Sequence, residues 1–291
     1  MLGTYTETGH EEHCPDINGP GCAAQPAPAQ WHSLKLFFSE VRLSANYGLL
    51  DWLSADLMWS LRIVGIWFQL QDLARKPIDS PYGEEIHHRT ETLVGLSDPW
   101  LSLRAVQQWE RWALAVRLGV TLPVGATVEN PFRLGREGQS HQHIQFGTGT
   151  VNPFSEVEVQ RQLGRFTVSA WMLSRVPLYA NHHGYQAGPM VLTGVRALSD
   201  LWLKRWHFTL GALVYHEKPE RWDGVVETEG NLGRTDLMLE AVIAWRFTGQ
   251  WTLGLSARFP VWSHVTGAQL STPAIVELSI SRPFQLTKRS R

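Results

Sequence analysis

The sequence has no long hydrophobic run. Of its 291 residues, 43% are hydrophobic, yet the longest uninterrupted apolar stretch is the six-residue "IVGIWF" at 63–68. A membrane-spanning helix needs about 17–25 predominantly apolar residues, so no helix of this chain is expected to cross a bilayer. This absence does not exclude a membrane protein, because the strands of a barrel carry a much weaker signal per segment.

The sequence also has little net charge, only two cysteines and no recognisable signal peptide at its start. The formal net charge is -1 and no basic block is present, so nucleic acid is not an expected partner. The only cysteines, Cys14 and Cys22, lie in "HCPDINGPGC" and fit a local disulfide, two idle thiols or one acylated cysteine. The start "MLGTYTETGHEEH" lacks the basic end and apolar core of a signal peptide. Either the protein stays inside the cell or its true start lies upstream.

The main feature of the sequence is an alternation of apolar and polar residues. In "LSADLMWSLRI", at 53–63, the odd positions are apolar and the even positions are polar apart from Met58. A period of two predicts a strand with one apolar and one polar face. The same pattern recurs in about eleven segments after Trp31, and a twelfth strand is expected over 31–38, "WHSLKLFF".

The connections between these segments alternate between tight and long. Tight turns are predicted near residues 49, 108, 164, 199 and 249, and long polar loops over 69–91, 123–147, 179–188, 216–234 and 262–272. In an up-and-down meander this puts all long loops at one rim, as in outer-membrane barrels. The fold class is therefore predicted to be all-β, a single antiparallel up-and-down transmembrane β-barrel of about 12 strands. It is expected to span 31–284, between a flexible leader (1–30) and a basic C-terminal tail (285–291).

The apolar faces are expected to point outward, toward membrane lipid. A barrel of this size has a lumen too wide for one layer of apolar side chains to fill, and an apolar lining would then be empty or wet. Eight of the fourteen tryptophans, near strand ends, are interpreted as aromatic girdles at the membrane interfaces: Trp52, Trp100, Trp112, Trp202, Trp206, Trp245, Trp251 and Trp262.

Charged residues then line the lumen. The arginines expected there are Arg42, Arg62, Arg104, Arg117, Arg175, Arg196, Arg246 and Arg258, and the acids are Asp56, Glu156, Glu158, Glu240 and Glu277. Two hypotheses follow from this set. The charges form a pore lining that favours anions, or they form a ladder of ion pairs that stiffens or plugs the barrel.

Three segments, in the same order along the chain, resemble the motifs of a known family. "GLSDPWLSL" (95–103), "LGVTLPVG" (118–125) and "IQFGTGTVNPF" (144–154) stand where strands meet loops. They are similar to motifs of the bacterial outer-membrane barrels grouped as the transporter family linked to meta-pathway phenol degradation. The resemblance implies an outer-membrane barrel that transports small, often hydrophobic or aromatic, solutes. It brings no catalytic residues.

Histidines gather in the long loops and suggest a metal site at the outer rim. "HQH" places His141 and His143 on one side of an extended chain, which suits Zn or Cu. Further ligands are expected from two adjacent pairs: His87, His88, His182 and His183. Loop histidines without a metal role are the alternative, in which case the protein has no cofactor.

The predicted function is a passive channel or transporter for small hydrophobic, aromatic or anionic solutes in the bacterial outer membrane. The alternative is a structural or metal-binding surface barrel with a closed, ion-paired lumen. An enzyme is not expected, because the loop neighbours Ser140–His141 and Ser263–His264 are adjacent in sequence, which is rarely true of a catalytic pair, and no nucleophile elbow is present. The sequence leaves the oligomeric state open.

Overall fold

The structure is a computed structural model that describes residues 4–12, 30–72, 74–78, 89–137, 139–200, 205–228, 230–247, 250–266 and 272–284. The two cysteines and the tail at 285–291 lie outside these residues, so the predictions made for them stay predictions. No described helix is long and apolar enough to span a membrane.

One antiparallel sheet contains nearly all of the strands. Its members are β1 (Thr4–Glu12), β2 (Gln30–Leu50), β3 (Leu53–Gln71), β4 (Glu91–Leu96), β5 (Trp100–Trp109), β6 (Trp112–Thr121), β7 (Asn152–Leu163), β8 (Phe166–Arg175), β10 (Met190–Asp200), β11 (Trp206–Glu217), β13 (Arg234–Arg246), β14 (Thr252–Val265) and β15 (Ile275–Ser281). Each strand pairs with the next along the chain, except that β4 and β5 share one position beside β3. This is the predicted up-and-down meander.

The two faces of this sheet are distributed as the alternation predicts. On the outer face, Leu61 and Leu239 are 38% and 51% exposed, whereas Ser60 on the inner face is 5% exposed. Large apolar side chains are exposed in this way on most of the strands. A soluble protein rarely leaves so continuous an apolar surface in water, so the outer face is the lipid-facing face. The prediction for 53–63 is confirmed.

The strand count is confirmed at about twelve, but the twelfth strand was wrongly located. Residues 31–38 are the first part of β2, which runs for 21 residues without a turn. Eleven strand positions run from β2 to β15, and β1 occupies part of a twelfth by pairing Thr4–Glu12 with Gln30–Phe38. The sequence predicted a flexible leader there, because the segment 4–12 is polar on both faces and shows no apolar alternation.

The tryptophan girdles are found at some of the predicted positions and not at others. Trp52, Trp112 and Trp262 are about half exposed at strand ends, and Trp206 and Trp245 stack with ring centroids 5.8 Å apart. The prediction for Trp100 was wrong, because its ring packs on Phe154 at 4.6 Å on the inner face, where Phe154 is buried. Trp202 lies outside the described residues.

Two small elements in the long loops were not predicted. Helix α1 (Pro131–Arg136) lies in the loop between β6 and β7, and β9 (Tyr185–Gln186) pairs with β12 (Arg221–Trp222) in a separate two-stranded sheet. A helix of six residues is too short to display a period of 3.6. Its sequence signal was the capping one, since the Asn130 side chain accepts hydrogen bonds from the amides of Phe132 and Arg133 and proline stands at the first helical position.

Candidate functional site in the barrel lumen

The inner face of the barrel carries a network of ion pairs. Six of the eight predicted lumen arginines contact a carboxylate, and all five predicted acids take part. The pairs are Arg42–Glu40 (2.7 Å), Arg42–Glu277 (3.6 Å), Arg62–Glu40 (3.0 Å), Arg104–Glu158 (3.6 Å), Arg117–Asp56 (3.7 Å), Arg117–Glu156 (3.1 Å), Arg196–Glu158 (3.3 Å) and Arg258–Glu240 (2.8 Å). Such a network braces the wall and cancels most of its charge.

Glu40 also belongs to this network, although the sequence analysis did not predict it as a lumen residue. Its side chain is 5% exposed and receives hydrogen bonds from Arg42 and Arg62. The sequence does contain a signal for it: Glu40 and Arg42 are two positions apart on one strand, so they lie on the same face. It was overlooked because the alternating segment was taken to start at residue 41.

Two lumen arginines differ from the other six. Among the described residues, Arg175 and Arg246 contact no carboxylate. Arg246 ends β13 and is exposed, whereas the Nε atom of Arg175 is buried and has no hydrogen-bond partner in the described part of the chain. Neither arginine belongs to the ion-pair network, although Arg175 lies close enough to Glu217 that both act on the Tyr215 hydroxyl.

Toward the long-loop rim, the inner face is apolar and covered. Leu36, Val64 and Ile66 are buried on the same face as the lumen charges, and Phe146 packs on them. Phe146 belongs to residues 140–147, hereafter the inserted segment, which lies inside the barrel against β2, β3 and β4. The Nη1 atom of Arg62 donates to the Phe146 carbonyl oxygen at 3.3 Å, so the charged wall itself binds this segment.

Side-chain contacts hold the inserted segment close to β4. A Cβ atom added to Gly95 would lie 2.5 Å from the Phe146 ring, so only glycine fits there. Further along, the Gln142 side chain donates to Glu91 at 2.7 Å. The segment therefore follows the inner side of β4 and narrows the lumen.

Asp98 fastens both ends of the loop that contains this segment. Its carboxylate accepts hydrogen bonds from the Gly125 amide at 2.9 Å and from the amide and hydroxyl of Thr148, each at 2.7 Å. Asp98 is 6% exposed. The three motifs that carried the family resemblance thus meet around one carboxylate, which their separation in the sequence does not reveal.

Three long loops form a cap at the outer rim. Phe132 of α1, Tyr185 of β9 and Trp222 of β12 are buried together with Ala187. Beside them, Glu220 accepts hydrogen bonds from Trp222 Nε1 at 3.1 Å and from the Asn231 amide at 3.2 Å. Burial nevertheless raises the pKa of Glu220 above its ordinary range, and the nearby Glu217 charge raises it further.

Four of the loop histidines in the described part of the chain lie together as two pairs. The rings of His141 and His143 lie 5.2 Å apart, and those of His182 and His183 lie 3.8 Å apart. Burial and the neighbouring His182 lower the pKa of His183. In the described part of the chain, no group of three or more His, Cys, Asp or Glu side chains could hold a metal ion. His87 and His88 lie outside it, so the Zn or Cu site stays a prediction.

An apolar exterior, a charged interior and a meander with one elaborated rim define the fold of an outer-membrane β-barrel. The structure is similar to the crystal structure of an outer membrane channel from Pseudomonas putida, with a TM-score of 0.54 and 9% sequence identity over 97% of this chain and 96% of that chain. At that identity the likeness establishes the shared fold. No family model and no curated protein sequence matches this chain.

Proposed function

We propose that the protein is a passive channel for small solutes in the bacterial outer membrane. The observation that carries the proposal is a polar, ion-paired wall surrounding a lumen that is narrowed by one inserted segment, in a fold similar to that of an outer membrane channel. A barrel with lipid-facing apolar side chains has no stable place in the cytoplasm, where this surface would aggregate. Recovery of the native protein in the soluble fraction would contradict this location.

The chemistry of the lumen favours anionic solutes over cations. Arg175 and Arg246 form no ion pair with a described carboxylate, and their positive charge supports a preference for anions. The inserted segment limits the size of what passes. The proposed preference for anions therefore rests on the two arginines that lie outside the ion-pair network.

Liposome swelling tests both the channel and its solute class. Liposomes containing the refolded barrel are diluted into isosmotic solutions of small sugars, benzoate-sized aromatic anions or matched aromatic cations. Faster swelling with the aromatic anion than with the cation supports the proposal. Equal rates for the two would overturn the solute class while leaving the channel intact.

A closed barrel that braces the envelope is the second candidate. The observation in its favour is that six lumen arginines are already occupied by carboxylates, which leaves little free charge to bind a solute. In that case no solute would enter the liposomes, although the barrel would still migrate as a folded species in unheated gels.

A further inference from the structure

Three arginines lie together at the tight-turn rim of the barrel. Arg161, near the end of β7, pairs in register with Trp112 at the start of β6. The Gln162 amide donates to the Arg111 carbonyl oxygen at 2.7 Å, so the β5–β6 turn and the β7–β8 turn are neighbours. Arg165 lies in the β7–β8 turn. Arg111, Arg161 and Arg165, hereafter the rim arginines, are all exposed.

The rim arginines have no carboxylate partner in the described part of the chain, and in this they differ from most other arginines there. Six lumen arginines are paired, as described above. The arginines of the long-loop rim that contact a carboxylate are Arg89 (3.2 Å), Arg133 (3.7 Å), Arg136 (3.6 Å) and Arg234 (2.7 Å). In the β5–β6 and β7–β8 turns, Glu110 is the only acidic residue. Three positive charges against one negative charge therefore leave this part of the rim with an excess of positive charge.

Arg161 is also surrounded by lipid-facing side chains. Glu156 and Glu158 of β7 face the lumen, so Arg161, an odd number of positions further along the strand, faces outward. Its guanidinium carbon lies 4.9 Å from the centroid of the Trp112 ring. The exposed apolar side chains around it are Trp109 (50%), Trp112 (45%), Leu163 (47%) and Phe166 (50%). Stacking on tryptophan orients the guanidinium but brings no negative charge, and a cation at the edge of a membrane is costly unless an anion pairs with it.

We propose that the rim arginines bind the phosphate group of an anionic phospholipid, such as phosphatidylglycerol, in the inner leaflet of the outer membrane. The tight turns of an outer-membrane barrel lie on the periplasmic side, which is the side of the phospholipid leaflet. Tryptophan side chains at a barrel rim lie at the level of the headgroups. The guanidinium group of arginine matches two phosphate oxygens at once.

Charge and position together select this ligand. The excess positive charge favours a headgroup with a net negative charge over phosphatidylcholine, in which a choline cation offsets the same phosphate. The place of Arg161 among lipid-facing side chains favours a lipid over an acidic soluble protein. The inference concerns the outer surface of the barrel, so it rests on the proposed membrane location and not on transport through the lumen.

Native mass spectrometry of the folded full chain tests the site. The barrel is held in neutral detergent micelles with equal amounts of phosphatidylglycerol and phosphatidylcholine that have the same acyl chains. The wild type is expected to retain phosphatidylglycerol about tenfold more than phosphatidylcholine. In Arg111→Gln/Arg161→Gln/Arg165→Gln this ratio should fall close to one. Equal retention of the two lipids by the wild type would overturn the proposal.

A matched control removes the same charge from the opposite rim. Arg133→Gln/Arg136→Gln/Arg221→Gln should keep the wild-type ratio, and migration in unheated gels verifies that all variants are folded. An equal loss in this control would assign the preference to the net charge of the protein and overturn the site. Excess glycerol phosphate should leave phosphatidylglycerol bound. Its complete displacement would reveal a site for soluble phosphate and would contradict the lipid assignment.

Discussion

At the scale of single residues, Gly95 controls whether the inserted segment fits. Gly95→Ala would push a methyl group into the Phe146 ring, because the added carbon would lie 2.5 Å from that ring. We expect the free energy of unfolding to fall by about 1–3 kcal/mol, the usual cost of overpacking. Urea titration of the barrel in detergent micelles measures this.

The matched control for that substitution is Gly48→Ala, because no atom lies within 4 Å of the added Cβ there. It should leave the urea midpoint unchanged. In a Phe146→Ala background, Gly95→Ala should lower the stability by less than it does in the wild type, because the ring that the added methyl group meets is gone. If Gly95→Ala and Gly48→Ala behave alike, Phe146 does not pack on β4 in solution.

Glu220 gives the outer cap a pH dependence whose sign is fixed by burial. Because folding raises its pKa above the ordinary value of 4.5, the folded cap favours the protonated carboxyl. The contribution to stability is complete below pH 4.5 and is lost as the pH rises through the folded pKa. Protection factors of the Trp222 and Asn231 amides should therefore be lower at pH 7.5 than at pH 4.5.

In Glu220→Gln, which stays neutral, those protection factors should hardly change between the two pH values. Glu227→Gln serves as the control, because Glu227 lies in the same loop but forms an ion pair with Arg136 at 3.6 Å and is partly exposed. It should retain the wild-type trend. A cap that becomes better protected as the pH rises would contradict this account.

At the scale of elements, Glu158 ties three strands of the wall together. Its carboxylate on β7 contacts Arg104 of β5 and Arg196 of β10, each across one intervening strand. Glu158→Gln leaves both arginines without their charge partner. We expect unfolding to become easier by about 1–3 kcal/mol and the reversal potential in a KCl gradient to shift toward anions.

Glu129→Gln removes a carboxylate of the same type from an exposed pair with Arg133, where the glutamate is 57% exposed. Such surface pairs contribute less than about 1 kcal/mol, so stability and selectivity should both stay close to wild type. Equal effects of the two substitutions would mean that the lumen network does not brace the wall.

Strands were predictable where the apolar–polar alternation is long. Features that depend on contacts between residues far apart in the sequence were not. The alternation in 53–63 predicted both faces of β3, and parity alone placed Arg104 and Glu158 on the inner face. The meeting of Asp98 with Gly125 and Thr148 could not be read from the sequence, because it depends on how one loop folds back into the barrel. The polar β1 was missed for another reason, since a strand without an apolar face leaves no periodic signal.

At the scale of the whole molecule, the lipid-facing belt and the charged lumen both result from the two-residue period of apolar and polar residues along the strands. The same alternation that puts Leu61 outside puts Ser60 and Arg62 inside. The inserted segment is the part of the lumen that this alternation does not produce. The strand periodicity therefore determines the wall of the barrel. The constriction comes from the inserted segment, whose loop Asp98 holds at both ends.

Single-channel recording in planar bilayers tests the proposed channel most directly. Wild-type barrel, verified as folded by its migration in unheated gels, should produce discrete openings. A variant in which residues 140–147 are replaced by a short Gly-Ser linker should produce openings of larger conductance, because the segment against Val64 and Ile66 is gone. Absence of openings from both folded proteins at every voltage and salt concentration would contradict the account.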